Sequence, residues 1–208
     1  MKQNCPLCSH EATLFYQNTD NYFQCKECHS LFVDTNARPN IKQEKERYEL
    51  HSDDVEDKGY QNFVSPMTSA IMQDYSKQSR GLDFGAGIGP IISKVVQDRG
   101  YNIKQYDPFF HNYPELLKEK YDYVASCEVV EHFYHPHKEF GLLKSLLDED
   151  AKLYIMTDLY DESIDFAKWY YKNDSTHVFF YTKESFGWIQ KEFGFKSLQI
   201  EKRLVTLS

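Results

Sequence analysis

The sequence has no apolar run long enough to span a bilayer, and its first ten residues, MKQNCPLCSH, hold no stretch of signal-peptide length. It also lacks any Lys/Arg cluster, and 32 acidic against 24 basic residues leave a formal net charge of −8. A field of that sign disfavours long-range attraction to nucleic acid or to an anionic membrane surface. These absences set the expectation of a cytoplasmic protein with neither a membrane nor a nucleic-acid partner. Tryptophan is scarce at 2 residues, whereas 16 Tyr and 15 Phe supply large rings for burial. With 41% hydrophobic and 27% charged residues in 208, the chain has the balance of one globular domain plus a small appendage.

Cysteine is limited to 5 residues, yet four of them form two knuckles, CPLC (Cys5, Cys8) and CKEC (Cys25, Cys28). The spacing C-x2-C-x16-C-x2-C falls within the window of a four-thiolate zinc site, each knuckle aiming two sulfurs at one metal. Two disulfides or a redox C-x-x-C are the competing readings. A disulfide framework belongs to an exported chain, and redox motifs rarely come as a matched pair, so zinc is preferred. A closed set of four thiolates leaves no open coordination position, which makes the metal structural. The intervening ATLFYQNTDNYFQ reads as short strands about an NTDN turn, giving a zinc ribbon over residues 1–36 that is too short to fold on its core alone. Cys127 lies outside the pattern and reads as a buried strand thiol.

Residues 37–78 form a polar, charged helical connector. Phe63, Met67, Ile71, Met72 and Tyr75 recur at helical spacing, predicting one amphipathic helix from Tyr60 to Gln78. Tyr48, His51 and Tyr60 are candidates for a lid, against the plainer reading of a solvated helix. From residue 79 strands and helices alternate. Arg80–Phe84, Tyr101–Tyr106, Tyr121–Cys127 and Lys152–Thr157 read as strands. Ile88–Asp98, His137–Leu147 and a Thr182-capped segment to Phe193 read as helices, and FKSLQIEKRLVTLS reads as two strands joined near Glu201. The expected fold is α/β: a Rossmann-like doubly wound sheet over 79–208 with an antiparallel C-terminal strand, preceded by the ribbon.

LDFGAGIG closes the first of those strands, where ligands of such sheets bind. Its G-x-G-x-G spacing is not the G-x-G-x-x-G that docks a pyrophosphate. Asp83, just upstream of Gly85, would repel a pyrophosphate but suits a ligand carrying an ammonium and a sulfonium, as S-adenosylmethionine does. Asp107 ends the second strand, where an acid can accept both ribose hydroxyls, and YDPFFHNYPE offers no Arg for a 2′-phosphate. Each acid alone would be read as structural; both together favour the cofactor.

LDFGAGIG, then YDP, YDYVASCEVVEH and THVFFYTKESF together resemble the class I S-adenosylmethionine-dependent methyltransferases, in the group with an E-x-x-E-H segment after strand four. The resemblance covers about Arg80 to Ser208 and accommodates an N-terminal zinc module. It implies that Asp83, Gly85, Gly87 and Gly89 hold the methionine end of the cofactor and Asp107 the ribose. Cys127 and Glu128 would lie along the cofactor, Glu131 and His132 would open towards the acceptor, and His177 would sit on a covering loop. The chain departs from the family in the short segment 108–120, where a helix, a third strand and an adenine-reading residue usually fit. Phe109 or Phe110 is the expected stacking partner for adenine.

Methyl transfer from a sulfonium is an in-line displacement that needs a base only when the acceptor must lose a proton. His132, His177 and Glu131 are the candidates, with the histidines favoured. EHFYHPH matches no closed metal site and reads as a loop entering a helix at Pro136. Phe166, Trp169, Tyr170 and Tyr171 either shape the acceptor pocket or pack. The leading expectation is a methyltransferase acting on a small molecule, such as a sugar or a biosynthetic intermediate. The alternatives are RNA or protein methylation with the ribbon as docking module, and a non-catalytic scaffold that retains the fold.

Overall fold

The computed structural model describes residues 1–50 and 54–208; His51, the middle lid candidate, lies outside them. The chain opens with four short strands, β1 (Lys2–Asn4), β2 (Glu11–Gln17), β3 (Asn21–Cys25) and β4 (Leu31–Val33). β2 and β3 form a hairpin about Asn18–Asp20, whose Asn18 side chain accepts from Asp20 N–H, as the NTDN turn predicts. Two connector helices follow where one is expected: α2 (Lys58–Phe63) and α3 (Ser65–Asp74), preceded by α1 (Ile41–Tyr48). Pro66 in the first turn of α3 has no N–H to continue the preceding helix, so the chain ends α2 and restarts.

The main sheet begins with β5 (Arg80–Phe84), α4 (Ile91–Gln97), β6 (Asn102–Tyr106) and β7 (Tyr121–Cys127). It continues with α5 (Pro136–Ser145), β8 (Leu147–Met156), β9 (Phe179–Phe180), α6 (Lys183–Glu192), β10 (Leu198–Glu201) and β11 (Leu204–Leu207). α4 starts later than Ile88 because the glycine loop runs on through Gly89 and Pro90. α5 stops before Leu147, which already belongs to β8. Thr182 caps α6 as expected, accepting from Ser185 N–H while the Ser185 hydroxyl accepts from Thr182 N–H.

The six-stranded sheet runs β10-β11-β8-β7-β5-β6, parallel from β8 to β6, with β11 antiparallel to β8. From the centre, β5–α4–β6 steps one way and β7–α5–β8 the other, so right-handed crossovers place α4 and α5 on opposite faces. The cores follow this split. Tyr123, Ala125, Tyr154 and Met156 pack with α3 and α4, while Val124, Leu153 and Ile155 pack with α5 and α6. The short segment 108–120 forms a 3-10 turn at Pro114–Lys118 and no strand, which makes β6 the sheet edge.

β9 pairs with β4, not with the main sheet, completing a second sheet in the order β1-β2-β3-β4-β9. The N-terminal module therefore takes its last strand from the far end of the chain. Its cysteines, Phe23 and Phe32 share one core with α5 and α6. Phe166 and Trp169 pack on its other side, against Tyr22 and Val33, while Tyr170 and Tyr171 turn toward the cleft described next. No helix among the described residues is long and apolar enough to cross a membrane.

Candidate active site

β5 and β7 are neighbours whose chains leave the sheet in opposite directions, and a cleft opens beyond their carboxyl ends. Its volume is about 1240 Å³. The glycine loop, Asp107, Phe109 and Phe110 line one half; Tyr48, His132, Tyr171 and His177 line the other. The loop can turn so tightly because Gly85 and Gly87 adopt φ of 79° and 65°, in the left-handed region. At Gly85 a Cβ would also meet Val129 Cγ2 at 2.5 Å, so the backbone lies flush against the floor of the cleft.

Asp83 is buried at the root of this loop. Its Oδ2 accepts from Ser93 N–H (3.1 Å) and Ser93 Oγ–H (2.8 Å), anchoring the carboxylate to the first turn of α4. Burial, reinforced by the negative charge of Asp107, pushes its pKa up to about 6 against the bonds from Ser93. A cation in the cleft would relieve both unfavourable contributions. Asp107 Oδ1 accepts from Phe109 and Phe110 N–H (2.8 and 3.1 Å), and Oδ2 accepts from Gly87 N–H at 3.1 Å. Those bonds fix the carboxylate at the mouth of the loop and tie Asp107 to the glycine loop.

On the opposite wall Cys127 ends β7 and Glu128 follows it, both lining the cleft. Glu128 has φ of 52° and receives two bonds from Arg203 Nη2, each 2.7 Å. Burial, then the charge of Glu131, raises the Glu128 pKa to about 8 despite that ion pair. Glu131 does not line the cleft. It is fully buried beneath it, accepting from Tyr171 O–H (2.6 Å) and Thr157 Oγ–H (3.1 Å), and burial raises its pKa.

His132 and His177 meet edge to face above it, ring centroids 4.8 Å apart. His132 Nδ1 bonds to Thr176 O at 2.9 Å and His177 Nδ1 to Tyr171 O at 2.7 Å. A carbonyl can only accept, so each Nδ1 carries a proton, which leaves Nε2 as the nitrogen that can take up or release one. Burial lowers the His177 pKa, partly opposed by the charge of Glu131. One ligand atom each from Glu131, His132 and His177 lies within 4.8 Å of the others. The carboxylate's existing bonds to Tyr171 and Thr157 match support of an imidazolium better than ligation.

Of the lid candidates, Tyr48 packs edge to face on His132 (5.3 Å) and against Phe109 (5.7 Å), bridging the two halves of the cleft. Tyr60 lines the cleft from α2. α1 is tied down by Arg47 Nη2 to Asp174 Oδ2 at 2.7 Å. Asp174 is drawn down to about 2: burial opposes this, but bonds from Thr176 and the positive charges nearby prevail. Tyr171, named from the sequence as a pocket candidate, lines the cleft, whereas Arg203, Thr157 and Asp174 are site residues that no sequence motif marks. Each acts through a partner remote in the chain, and only TH before VFFY hints that Thr176 and His177 belong together.

The four cysteines of the knuckles are buried and unbridged, with Sγ separations of 3.6 Å (Cys5–Cys28) and 3.3 Å (Cys8–Cys25). A tetrahedral metal with bonds of about 2.3 Å would hold its sulfurs roughly 3.8 Å apart, so the donors fit such an ion closely. Ser9 and His29, just after each knuckle, adopt φ of 62° and 58°, giving the two turns the same left-handed exit.

A family model described as a methyltransferase domain matches residues 33–200. No curated protein sequence matches the chain. Among solved structures it is similar to human N-acetylserotonin methyltransferase in complex with SAM, at 11% identity and a TM-score of 0.52, covering 71% of this chain and 53% of that one. It is also similar to an O-methyltransferase family protein from Burkholderia thailandensis, at 11% identity and a TM-score of 0.56, covering 82% of this chain and 63% of that one. The chain thus spans between about half and two thirds of the length of these structures, and at such identities the likeness is one of fold.

Proposed function

The chain belongs to the methyltransferase domain family, and from that membership we propose that it methylates a small polar molecule, such as a sugar or another biosynthetic intermediate, using S-adenosylmethionine. The observation that carries this reading is the cleft itself, with Asp83 and Asp107 at the glycine loop and two basic imidazole nitrogens on the facing wall. Asp83 offers a buried negative charge to the ammonium and sulfonium end, Asp107 holds the ribose, and Phe109 or Phe110 stacks on adenine. When bound, S-adenosylmethionine supplies an electrophilic methyl group.

The chain's own work is positioning, exclusion of water and proton removal. Tyr48 and α1 cover the acceptor side. His132 and His177 take the proton of an acceptor hydroxyl or ammonium on Nε2, and Glu131 stabilises the resulting imidazolium from beneath. Glu131 is therefore a positioning residue, as it has no face on the cleft. The four-cysteine module holds a structural zinc. Its strands are built into the fold and its cysteines share the core of α5 and α6, which supports a structural part over a docking module for RNA or protein.

The test is release of S-adenosylhomocysteine from S-adenosylmethionine in the presence of pooled hydroxylated and amino small molecules. Turnover with at least one pool is expected. Turnover only with RNA or protein would replace the small-molecule assignment.

A further inference from the structure

Val178 is held twice by its backbone. Its N–H donates to Glu131 O at 2.9 Å, and its C=O accepts from Val33 N–H of β4 at 3.0 Å. One residue thus joins the four-cysteine sheet to the turn that carries Glu131 and His132. On its N-terminal side lie His177 and Thr176, the latter offering the carbonyl that fixes His132 Nδ1. On its other side lies β9, two residues long, paired Leu31↔Phe180 and Phe32↔Phe179. A strand that short has no stability of its own, so its register is set by β4.

β4 in turn begins just after the second knuckle. The Cys28 sulfur is 3.3 Å from the Ser30 hydroxyl, which is 2.8 Å from that of Ser185 in the α6 capping box. Phe32 stacks on Phe179 at 6.1 Å with 9° between planes. Tyr181 O–H closes the circuit on Val130 O at 3.0 Å.

We infer that the metal-held N-terminal sheet is the template that positions the two acceptor-side histidines, through the β4–β9 pairing and the two backbone hydrogen bonds of Val178. This rests on the reading of those histidines as the acceptor side and of the cysteines as a zinc site. The glycine loop and Asp107 leave β5 and β6, which β4 and β9 do not join by strand pairing; the cysteines meet β5 only through the shared side-chain core, at Leu82 and Phe84. Withdrawing zinc should therefore disturb His132 and His177 while leaving the cofactor half intact.

The test uses the full chain. Zinc is withdrawn with a strong chelator and its release followed with a metal indicator. The imidazole Cε1–H signals of His132 and His177, assigned with H132N and H177N, are recorded beside a titration with S-adenosylhomocysteine. Expected are shifts of both signals, a loss of turnover of about 10²-fold from histidine misplacement, unchanged S-adenosylhomocysteine affinity, and recovery on adding zinc. Histidine signals that stay in place after zinc leaves would overturn the inference. So would a parallel collapse of cofactor affinity, which would make the sheet a support for the whole chain. In zinc-loaded Val33→Pro, which removes the N–H given to Val178 together with the buried Val33 side chain, the same signals should move with the metal retained. Absence of S-adenosylhomocysteine binding in the zinc-loaded wild type would instead refute the methyltransferase reading, and the histidine signals would still report on the template.

Discussion

Asp83 shows most clearly what a carboxylate buried beneath the glycine loop costs the fold. Its folded pKa of about 6 lies above its ordinary 3.8, so the folded state disfavours its charge. That stability is present below 3.8 and lost as pH rises through about 6. Asp83→Asn should therefore gain stability relative to wild type between those values and hold the gain above them, by up to about 3 kcal/mol. Urea unfolding of the ligand-free proteins across pH reads this directly, and S-adenosylhomocysteine binding should weaken in the same variant. On the acceptor side, burial lowers the His177 pKa, so the acid limb of kcat should lie below 6.5. His177→Asn should remove that limb and cut kcat by about 10²–10⁴-fold, with cofactor affinity kept, as pH-rate profiles and calorimetry would show. Asp83 and Asp107 were legible in the sequence because each sits at a fixed offset from a strand end. Arg203 and Asp174 were not, because Arg203–Glu128 and Asp174–Arg47 are pairings across the chain that no local pattern encodes.

At the scale of elements, the glycine loop and α1 make opposite demands. Gly85→Ala places a Cβ 2.5 Å from Val129 at φ of 79°, and should cost about 1–3 kcal/mol, measurable by urea unfolding, with cofactor binding weakened. α1 buries no residue and is held at its start by the Asn40–Gln43 capping box. Asn40→Ala should destabilise that helix by about 1 kcal/mol. Because α1 buries no residue and its contacts are with the cleft, the melting temperature should barely move while the acceptor KM rises. Periodicity found most of the helices and strands of the main sheet, but it could not see the break that Pro66 imposes between α2 and α3. It also missed β9 as a separate element, because two residues carry no period and only the β4 edge makes them a strand.

Across the whole molecule, two sheets share one chain in an interlocked way: the first module's fifth strand comes from just after His177. The knuckle spacing made the cysteine cluster legible from the sequence, whereas this sharing was not, since it depends on contacts between the two ends of the chain. The shortened segment 108–120 removes a strand without removing the cleft, because Asp107 is held by the loop backbone and does not need a neighbour beyond β6. That leaves the cofactor half as the point on which the rest depends. Calorimetric titration of S-adenosylhomocysteine into the zinc-loaded chain and into Asp107→Ala tests it most directly. One site per chain in the wild type, with binding lost in the variant, is the expected result. No binding to the wild type, or equal binding to both, would contradict it.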